Sequence, residues 1–465
     1  MIIPRGEAVR NFLYSATLRT LSQHARVTLL SVIQDEAFHA RFDPYVERII
    51  PLQEHPEARL VRSIRNLTQE AHFRWLWSEV ARNRWEVWDH LNTSNGAWDP
   101  YDRAAPTALP LRKMAYSAFA NRPALRTLTA LENNLTLAMR PTRSFDALFA
   151  ELKPDLVFNG SHIHGPAGIL PVRVAHRMGI PTAGFVFSWD NLTSRSRILE
   201  PYDYYLVWHN RMKQQLLTIY PQLDPDRVVP VGTPQFDFHF QPEFILSREE
   251  LARRIGFDPA RPYVLYTTGI AGHFPGETGH VDFVIERLAA CENRPQLVVR
   301  VYAKDSSGRF DPYRERYASS DHVFFPRMKW DDEWLMPEYD DLYEFTSMVH
   351  HAALGINAAS TVSLELCIHD RPVINLGFDP PGSTIPHAFR WRRHIDFDHY
   401  RPVAESGAVM VASSEEELSA MIERGLNHPQ AGSAARRRLL DTMFGGLLDG
   451  HAGERAADQL LAWSK

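Results

Sequence analysis

The sequence predicts an α/β protein made of two doubly wound domains, with a helical insertion in the first domain and a helical C-terminal tail. Three observations support this prediction. Short apolar stretches alternate with helical patterns in residues 1–50 and again after residue 150, which is typical of parallel strands joined by helical crossovers. A chain of 465 residues is too long for one ordinary hydrophobic core, so more than one domain is expected. A proline-rich, charged stretch at residues 241–262 separates two α/β series and is predicted to be a linker.

We assign residues 1–240 to the first domain. Residues 11–24 have helical spacing of apolar side chains, and the stretches on either side of them are short and apolar, so the chain opens as strand, helix and strand. The predicted strands of this domain are residues 1–3, 26–32, 155–159, 182–187, 204–208 and 228–231.

Residues 56–150 interrupt this domain with long helical patterns that contain Trp75, Trp77, Trp85, Trp88 and Trp98. Residues 59–126 carry 11 Lys and Arg against 6 Asp and Glu. Basic residues attract anionic lipids and tryptophan prefers the membrane interface, so peripheral membrane contact is one interpretation. The other is a helical subdomain with a tryptophan core and solvated arginines. The sequence leaves both open.

The second α/β series occupies residues 263–432. Its predicted strands are residues 263–267, 296–302, 322–325, 354–357, 373–376 and 408–411. Predicted helices lie near residues 280–290, 341–350, 361–369 and 415–426. The tail, residues 433–465, is predicted to be helical and to pack back toward the first domain.

Composition excludes several classes of protein. Aromatic residues make up 11% of the chain, too many for a mainly disordered protein. The net charge of −5 gives no electrostatic reason to expect a nucleic-acid partner. Two cysteines, Cys291 and Cys367, cannot form a disulfide framework or a multi-cysteine zinc site. No apolar stretch approaches about 18 residues, so we expect a cytoplasmic protein. If residues 59–126 bind lipid, we expect it at the inner face of the cytoplasmic membrane.

Ligands bind outside the C-terminal ends of the strands in open parallel sheets, which directs attention to the loops there. The strand at residues 354–357 leads into Ser360 and Thr361, whose hydroxyls would lie at a helix N-terminus suited to phosphate. Glu365 lies one turn further on, where its carboxylate can accept hydrogen bonds from ribose hydroxyls. The alternative is that Ser360 only caps the helix and Glu365 is solvated or pairs with Arg371.

The pattern Asn-x-x-Ser-Thr-x-x-x-Glu from Asn357 to Glu365, followed by Arg-Pro-Val-Ile-Asn at residues 371–375, resembles the GT-B glycosyltransferase superfamily. That superfamily includes nucleotide-sugar transferases, UDP-N-acetylglucosamine 2-epimerases and CDP-glycerol glycerophosphotransferases. The resemblance covers residues 1–50 and 151–465, and it is more specific in the second half.

The resemblance implies two Rossmann-like domains that face each other across a cleft, with the nucleotide-sugar donor held by the second domain. Ser360 and Thr361 would contact phosphate and Glu365 the ribose. Thr268 and Gly269, which follow the strand that ends at residue 267, would line the donor cleft; the alternative for them is an ordinary glycine-rich strand exit. The resemblance implies no obligatory metal or cofactor beyond the donor.

Arg300 ends another strand of the second domain. Related proteins often have a His-Pro dipeptide after this strand, whereas this chain has Tyr302 to Asp305, so a histidine contact to the donor is not expected there. Arg300 or Lys304 can instead stabilise negative charge on a diphosphate leaving group. The alternative is a surface salt bridge with Asp305.

Candidate bases lie in the first domain. His162 and His164 follow the strand at residues 155–159, and imidazole titrates in the range required to remove a proton from an acceptor hydroxyl. We predict His164 as the base and His162 as the second choice. The alternative is that these are structural histidines, and no third ligand supports a metal site.

Four further residues complete the predicted site. Asp190, after the strand at residues 182–187, is an alternative base, and Glu7, after the first strand, is another. Trp189 could stack on a sugar ring, and Arg10 could meet an anionic acceptor. The alternative for residues 188–195 is a well-ordered turn, since Asp, Asn, Ser and Thr favour turns.

These residues together predict a metal-independent glycosyltransferase for surface polysaccharide or glycoconjugate synthesis. A nucleotide-sugar would be its donor, and a carbohydrate or lipid-linked molecule its acceptor. The same fold would also suit a CDP-polyol phosphotransferase or a nucleotide-sugar 2-epimerase. A catalytically inactive scaffold or membrane-associated binding protein is a further alternative, because fold does not dictate function.

Overall fold

The structure is a computed structural model that describes residues 1–93, 107–163, 166–195 and 197–465. In these residues the chain forms a seven-stranded and a six-stranded parallel sheet, and we call the corresponding parts of the molecule the first and second lobes.

The first sheet has its shortest strand near the middle, yet this strand is fully buried. Its strands are β1 (Ile2–Ile3), β2 (Thr28–Ser31), β3 (Arg48–Pro51), β4 (Val157–Asn159), β5 (Thr182–Phe185), β6 (Tyr204–Val207) and β7 (Val228–Pro230). Their order is β3-β2-β1-β4-β5-β6-β7, and all pairs are parallel. The order reverses between β1 and β4, the position where doubly wound sheets open a crevice for ligands.

The second sheet follows the same plan. Its strands are β8 (Tyr263–Thr267), β9 (Gln296–Arg300) and β10 (Val323–Phe324), with β13 (Leu354–Asn357), β14 (Val373–Leu376) and β15 (Met410–Ala412) after an antiparallel hairpin of β11 (Trp330–Asp331) and β12 (Met336–Pro337). The order β10-β9-β8-β13-β14-β15 reverses between β8 and β13.

Helices connect the strands and form the insertion. The first lobe contains α1 (Glu7–Phe12), α2 (Ala16–His24), α3 (Glu36–Phe42), α4 (Arg59–Leu76), α5 (Glu79–Thr93), α6 (Leu109–Ala118), α7 (Arg122–Met139), α8 (Arg143–Leu152), α9 (Ile169–Arg177), α10 (Asn191–Ser194) and α11 (Asn210–Ile219). The remaining helices are α12 (Arg248–Ile255), α13 (Glu277–Ala289), α14 (Asp311–Arg316), α15 (Tyr339–His351), α16 (Val362–Ile368), α17 (Arg392–Asp396), α18 (Arg401–Ala404), α19 (Glu415–Asn427), α20 (Ser433–Phe444) and α21 (Ala452–Trp463).

The predicted fold class is confirmed, with three local differences. The helix predicted at residues 11–24 is broken into α1 and α2, because the Ser15 hydroxyl accepts the backbone N–H of Thr17 at 3.2 Å and starts a new helix. The sequence pattern did not predict β3, whose residues are only half-buried, or the short hairpin of β11 and β12.

The insertion is helical throughout its described part, and its cations pack on its tryptophans. Arg74 lies 4.3 Å from the ring centre of Trp77, and Lys113 lies 4.7 Å from that of Trp85. These pairs bring charge and aromatic surface together within the protein, whereas the four described tryptophans are half-buried and do not form the expected core. Trp98 lies outside the described residues. Among the described helices, none is both long enough and apolar enough to cross a bilayer.

Buried ion pairs attach the insertion to the first lobe. Glu132 of α7 is fully buried and accepts hydrogen bonds from Arg173 of α9 at 2.5 Å and from Arg65 of α4 at 2.6 Å. Because a buried charge without its partner is costly, these pairs fix α4 and α7 against the first sheet.

The last helix, α21, packs on α2 of the first lobe. The Thr17 hydroxyl donates to the Gly453 carbonyl at 3.0 Å, and a side chain at Gly453 would lie 3.1 Å from the Ser15 oxygen. Asp237, buried in the segment before the linker, accepts the backbone N–H groups of Ala452 and Gly453 at 3.0 and 2.7 Å. One carboxylate therefore fixes the start of the tail helix.

Replacement of this carboxylate tests its structural role. We expect Asp237→Ala to lower the free energy of unfolding by about 2–4 kcal/mol, because two buried backbone N–H groups lose their acceptor. Urea denaturation measures the change, with Asp458→Ala on the exposed side of α21 as the control, expected to stay within about 0.5 kcal/mol. Equal effects of the two substitutions would contradict this account.

Candidate functional site

One cleft of about 610 Å³ lies between the lobes, at the carboxyl ends of the strands of both sheets. It is lined by ten of the twelve predicted site residues: Glu7, Arg10, Trp189, Asp190, Thr268, Gly269, Arg300, Ser360, Thr361 and Glu365. His162 lies next to β5 and is not among the lining side chains, and His164 lies outside the described residues.

The loop after β13 presents two hydroxyls to the cleft. The backbone N–H of Ser360 donates to the Asn357 side chain at 3.0 Å, and the Ser360 hydroxyl accepts the N–H of Val362 at 3.3 Å. The helix begins at Val362 with Thr361 at its N-cap, one residue later than predicted. Ser360 still supplies the oxygen that caps this helix.

A buried hydrogen-bond network lies directly beneath this loop. The Asn375 amide donates to Asn357 and to the Ser363 hydroxyl, each at 3.0 Å. The Tyr400 hydroxyl donates to the Asn375 side-chain oxygen at 2.9 Å, and it lies 2.8 Å from the Ser363 hydroxyl. These side chains are fully buried or nearly so, and they hold the start of α16 in one position against β13 and β14.

Glu365 ends a chain of histidines that sequence analysis missed. Its carboxylate lies 3.4 Å from His239 Nε2, and His239 Nδ1 lies 2.9 Å from His369 Nε2. His350 Nδ1 lies 3.1 Å from His369 Nδ1. Burial, followed by the neighbouring His239, lowers the pKa of His369 to about 2, and burial lowers the pKa of His350 to about 4. Both rings are therefore neutral at pH 7.

The histidine chain begins at the Glu365 carboxylate. This carboxylate is an acceptor, so the hydrogen of its contact lies on His239 Nε2. His369 and then His350 continue the chain away from it. Glu365 is thus oriented toward the cleft by residues from three separate segments, and no local pattern in the sequence marks them.

Arg300 is paired with Asp341, and the alternative pairing with Asp305 does not occur. The two side chains are nearly completely buried and 2.7 Å apart. Asp341 also accepts the Trp330 indole N–H at 3.0 Å. The positive charge predicted for a leaving group is therefore present at the cleft, with a carboxylate beside it.

The loop after β8 is held rigidly by two residues that sequence analysis missed. Glu277 accepts the backbone N–H of Gly269 at 3.1 Å, and Arg309 donates to the Gly269 carbonyl at 2.7 Å and to Glu277 at 2.5 Å. Burial raises the pKa of Glu277 to about 8 in spite of Arg309. A Cβ at Gly269 would lie 1.9 Å from the Phe274 ring, so only glycine fits. The Gly269 amide is already used within the protein.

Three residues that line the cleft each carry a polar atom buried beneath its surface. The Trp208 indole nitrogen, the Thr267 hydroxyl and His399 Nδ1 are buried and have no hydrogen-bond partner within the described part of the chain. Thr268 differs, because its hydroxyl accepts the N–H of Tyr302 at 3.0 Å. Buried polar atoms without partners are costly, and because solvent does not reach these three atoms, they lie beneath the wall of the cleft and offer no contact to a ligand.

Glu7 and Arg10 bring the first lobe into the site. Glu7 forms an ion pair with Lys304 across the cleft and lies 3.1 Å from Arg5. Arg10 donates to the Gln235 side chain at 2.5 Å. The partner of Arg10 is a neutral amide, so its positive charge is not cancelled by that contact.

Trp189 joins the lobes through its indole nitrogen. Its N–H donates to the Thr361 hydroxyl at 3.1 Å, and its ring contacts His399 and Tyr400 of the second lobe. Only 6% of the residue is exposed, which leaves little of the ring for the predicted stacking on a sugar.

Asp190 is held as a carboxylate by its neighbours. It accepts hydrogen bonds from the Ser188 and Ser194 hydroxyls. Burial raises its pKa, but His399 and these hydroxyls lower it more, so that the pKa lies below the ordinary value. A lowered pKa makes a weaker base, which disfavours Asp190 for that role. His162 Nδ1 lies 3.1 Å from the Phe185 carbonyl, which fixes its ring at the end of β5.

The insertion forms a wall of the cleft, which was not predicted. Val80, Asn83, Arg84, Val87 and Trp88 line it from one face of α5. The Asn83 amide donates to the Ala388 carbonyl of the second lobe at 2.7 Å. The helical spacing of these residues is visible in the sequence, but the lobe that they face is not.

No group of three or more His, Cys, Asp or Glu side chains in the described ranges is arranged to hold a metal ion.

Comparison with solved structures identifies the fold. UDP-N-acetylglucosamine 2-epimerase from Neisseria meningitidis, bound to UDP-GlcNAc, aligns with a TM-score of 0.54 and 11% identity over 99% of this chain and 98% of that chain. The 2-epimerase from Methanocaldococcus jannaschii aligns with a TM-score of 0.50 and 13% identity over 95% and 98%. A glycosyltransferase from Rickettsia africae aligns at 0.47 and 10% over 97% and 96%, too low to add to the evidence.

The chain thus has the GT-B fold of two Rossmann-like lobes, which confirms the fold that the resemblance implied. No protein-family model matches the sequence. A search of curated proteins gives no match either.

The histidine chain predicts a loss of stability in acid. His369 stays neutral in the folded protein but is protonated below about pH 6.5 when unfolded, so stability falls as the pH drops below that value. At pH 5 we expect His369 alone to cost about 1–2 kcal/mol. Thermal unfolding between pH 7.5 and 5 measures the slope.

His369→Gln provides the matched comparison. We expect a flatter pH profile for this variant than for the wild type, and an unchanged profile for His428→Gln at an exposed position. Equal slopes for all three proteins would show that His369 is not held neutral by the fold.

Proposed function

We propose that the protein is a glycosyltransferase that moves a sugar from a nucleotide diphosphate donor to an acceptor hydroxyl. The observation that supports this proposal is the cleft between the lobes, which is lined by the predicted donor residues of the second lobe and by Arg10 and Trp189 of the first. Ligands of doubly wound sheets bind at such strand ends.

The charge of the cleft supports an anionic donor. Six Lys or Arg side chains line it, against four Asp or Glu side chains. A diphosphate near Ser360 and Thr361 would lie at a helix start with two hydroxyls, which is favourable for phosphate. Arg300 would face the charge that develops as the donor bond breaks. Glu365, oriented by His239, would receive the ribose hydroxyls.

Transfer requires a base in the first lobe. We assign this role to His164, with Glu7 as its substitute, since the pKa of Asp190 is lowered and its carboxylate is already hydrogen-bonded. The base would take the proton of the acceptor hydroxyl while the oxygen attacks the sugar, and the nucleotide diphosphate would leave. We place the acceptor among carbohydrate or lipid-linked precursors of surface polysaccharide, handled at the cytoplasmic side.

A nucleotide-sugar 2-epimerase is the second candidate. The structures that align at TM-scores of 0.50 and above include 2-epimerases, one of them bound to UDP-GlcNAc. Two contacts across the cleft, Trp189 to Thr361 and Glu7 to Lys304, would close the lobes around one small substrate. An epimerase needs no acceptor, so acceptor dependence of nucleotide release separates the candidates.

Donor binding is tested with Ser360→Ala. In a panel of UDP-, GDP-, dTDP-, CMP- and CDP-sugars we expect one class to raise the melting temperature, and Ser360→Ala to weaken its binding about tenfold through loss of a hydrogen bond to phosphate. Ser414→Ala is the control, since that hydroxyl also caps a helix of the second lobe but lies away from the cleft. Equal weakening by both variants would contradict the proposed phosphate contact.

The base is tested separately with His164→Ala. We expect turnover to fall by about 10²–10⁴-fold, the usual contribution of a general base, while nucleotide affinity changes little. Steady-state kinetics and titration of the nucleotide measure the two effects, with Asp190→Asn compared under the same conditions. Unchanged turnover in His164→Ala would remove this residue from the mechanism.

A further inference from the structure

The insertion contributes a part of the cleft that neither the donor nor the base requires. Val80, Arg84, Val87 and Trp88 recur at helical spacing along α5, and Phe73 of α4 lies beside them; we call these five residues the α5 wall. The wall faces Phe389 and Phe397, which line the cleft from the second lobe. This end of the cleft is therefore mostly apolar.

A single guanidinium interrupts this apolar surface. Arg84 lies 5.4 Å from the ring centre of Phe73 and 4.9 Å from that of Trp88, so aromatic faces flank its guanidinium. Glu70 holds it through two hydrogen bonds, at 2.5 and 3.1 Å. The side chain remains 43% exposed toward solvent and cleft. A guanidinium fixed in this way can present its remaining N–H groups to a phosphate.

Further cations surround the same end of the cleft. Arg195 lies exposed at the rim where α10 meets α5, and Arg393 lines the opposite side in the second lobe. Apolar side chains with several guanidiniums match a molecule that carries a hydrocarbon chain and a phosphate ester. The base of a nucleotide-sugar can stack on an aromatic ring, but its ribose, diphosphate and sugar are polar and gain little from an apolar wall.

Exposed apolar side chains also lie outside the cleft, on α6. Behind Trp88 lies Tyr116 of α6, with their ring centres 6.1 Å apart. The same short helix carries Leu111 and Met114, which are 68% and 69% exposed. Large apolar side chains exposed to this extent next to a cleft favour contact with hydrocarbon.

We propose that the α5 wall binds a lipid-linked saccharide through its hydrocarbon chain and phosphate. The chain lies against Val80 and Trp88, which are half-buried and line the cleft, and the phosphate contacts Arg84 and Arg195. The saccharide hydroxyl then points toward the first-lobe base. The role of this molecule as acceptor rests on the proposed function, whereas the binding of a prenyl phosphate does not.

Isothermal titration with the full-length protein tests the wall with farnesyl phosphate as the probe, kept below its micelle concentration. We expect it to bind at least tenfold more tightly than farnesol or glucose 1-phosphate, which carry only the chain or only the phosphate. Arg84→Gln should weaken binding about tenfold. Arg84→Lys keeps the positive charge but loses the paired N–H groups of the guanidinium, so it should weaken binding less. Trp88→Leu should weaken binding of farnesyl phosphate as well.

The control is Arg82→Gln, because Arg82 lies on the same helix, pairs with Glu79 and does not line the cleft. It should leave the affinity unchanged. Equal affinities for wild type and Arg84→Gln, with both proteins folded by thermal melting, would overturn the proposal. So would a glucose 1-phosphate affinity equal to that of farnesyl phosphate, since this would show a site for any phosphate.

Titration of the preferred nucleotide into the same proteins separates this proposal from the proposed function. Farnesyl phosphate binding without nucleotide binding would support the wall and contradict the donor site. Nucleotide binding without farnesyl phosphate binding would overturn the wall and support the donor site. Loss of farnesyl phosphate affinity in Arg84→Gln with unchanged nucleotide affinity would support both.

Discussion

The site depends on contacts that hold the two lobes together with the carboxyl ends of their strands on either side of one cleft. Each sheet on its own brings only its own strand ends together. The hydrogen bond from Trp189 to Thr361 and the ion pair of Glu7 with Lys304 place the two sets of loops on opposite sides of one cleft. All of these residues lie at strand ends or helix starts, so a small shift of either lobe would change every distance across the cleft. The chemistry of the site therefore depends directly on the relative position of the lobes.

Charge within the cleft is distributed unevenly for a physical reason. A buried cation is tolerated only beside an anion, and Arg300 accordingly lies against Asp341, and Lys304 against Glu7. Arg10 instead contacts the neutral side chain of Gln235. An anionic ligand gains most from cations whose charge is not already compensated. Arg10 thus adds positive charge that this contact leaves uncompensated on the first-lobe side of the cleft, where we propose that the acceptor binds.

Much of the fold could be predicted because buried parallel strands are apolar whatever surrounds them. The strand at Tyr263–Thr267 and the hydroxyl-rich loop after Leu354–Asn357 both follow from this rule and from the position of ligands at strand ends. The strand at Arg48–Pro51 was missed because its side chains are only half-buried. The break at Ser15 was missed because one hydroxyl decides between a long helix and two short ones, and apolar spacing alone does not report it.

The partners of the site residues could not be predicted, because they come from distant segments. His239 contacts Glu365 although the two residues are 126 positions apart in the sequence. The insertion is the clearest example of a partner that the sequence could not predict. Its chain belongs to the first lobe, yet Val87 and Leu91 are buried in the hydrophobic core of the second. Opening the cleft must therefore expose these side chains, at about 1.5–3 kcal/mol for each, unless α5 moves with the second lobe and bends the chain behind it. The helix that walls the cleft thereby also resists its opening.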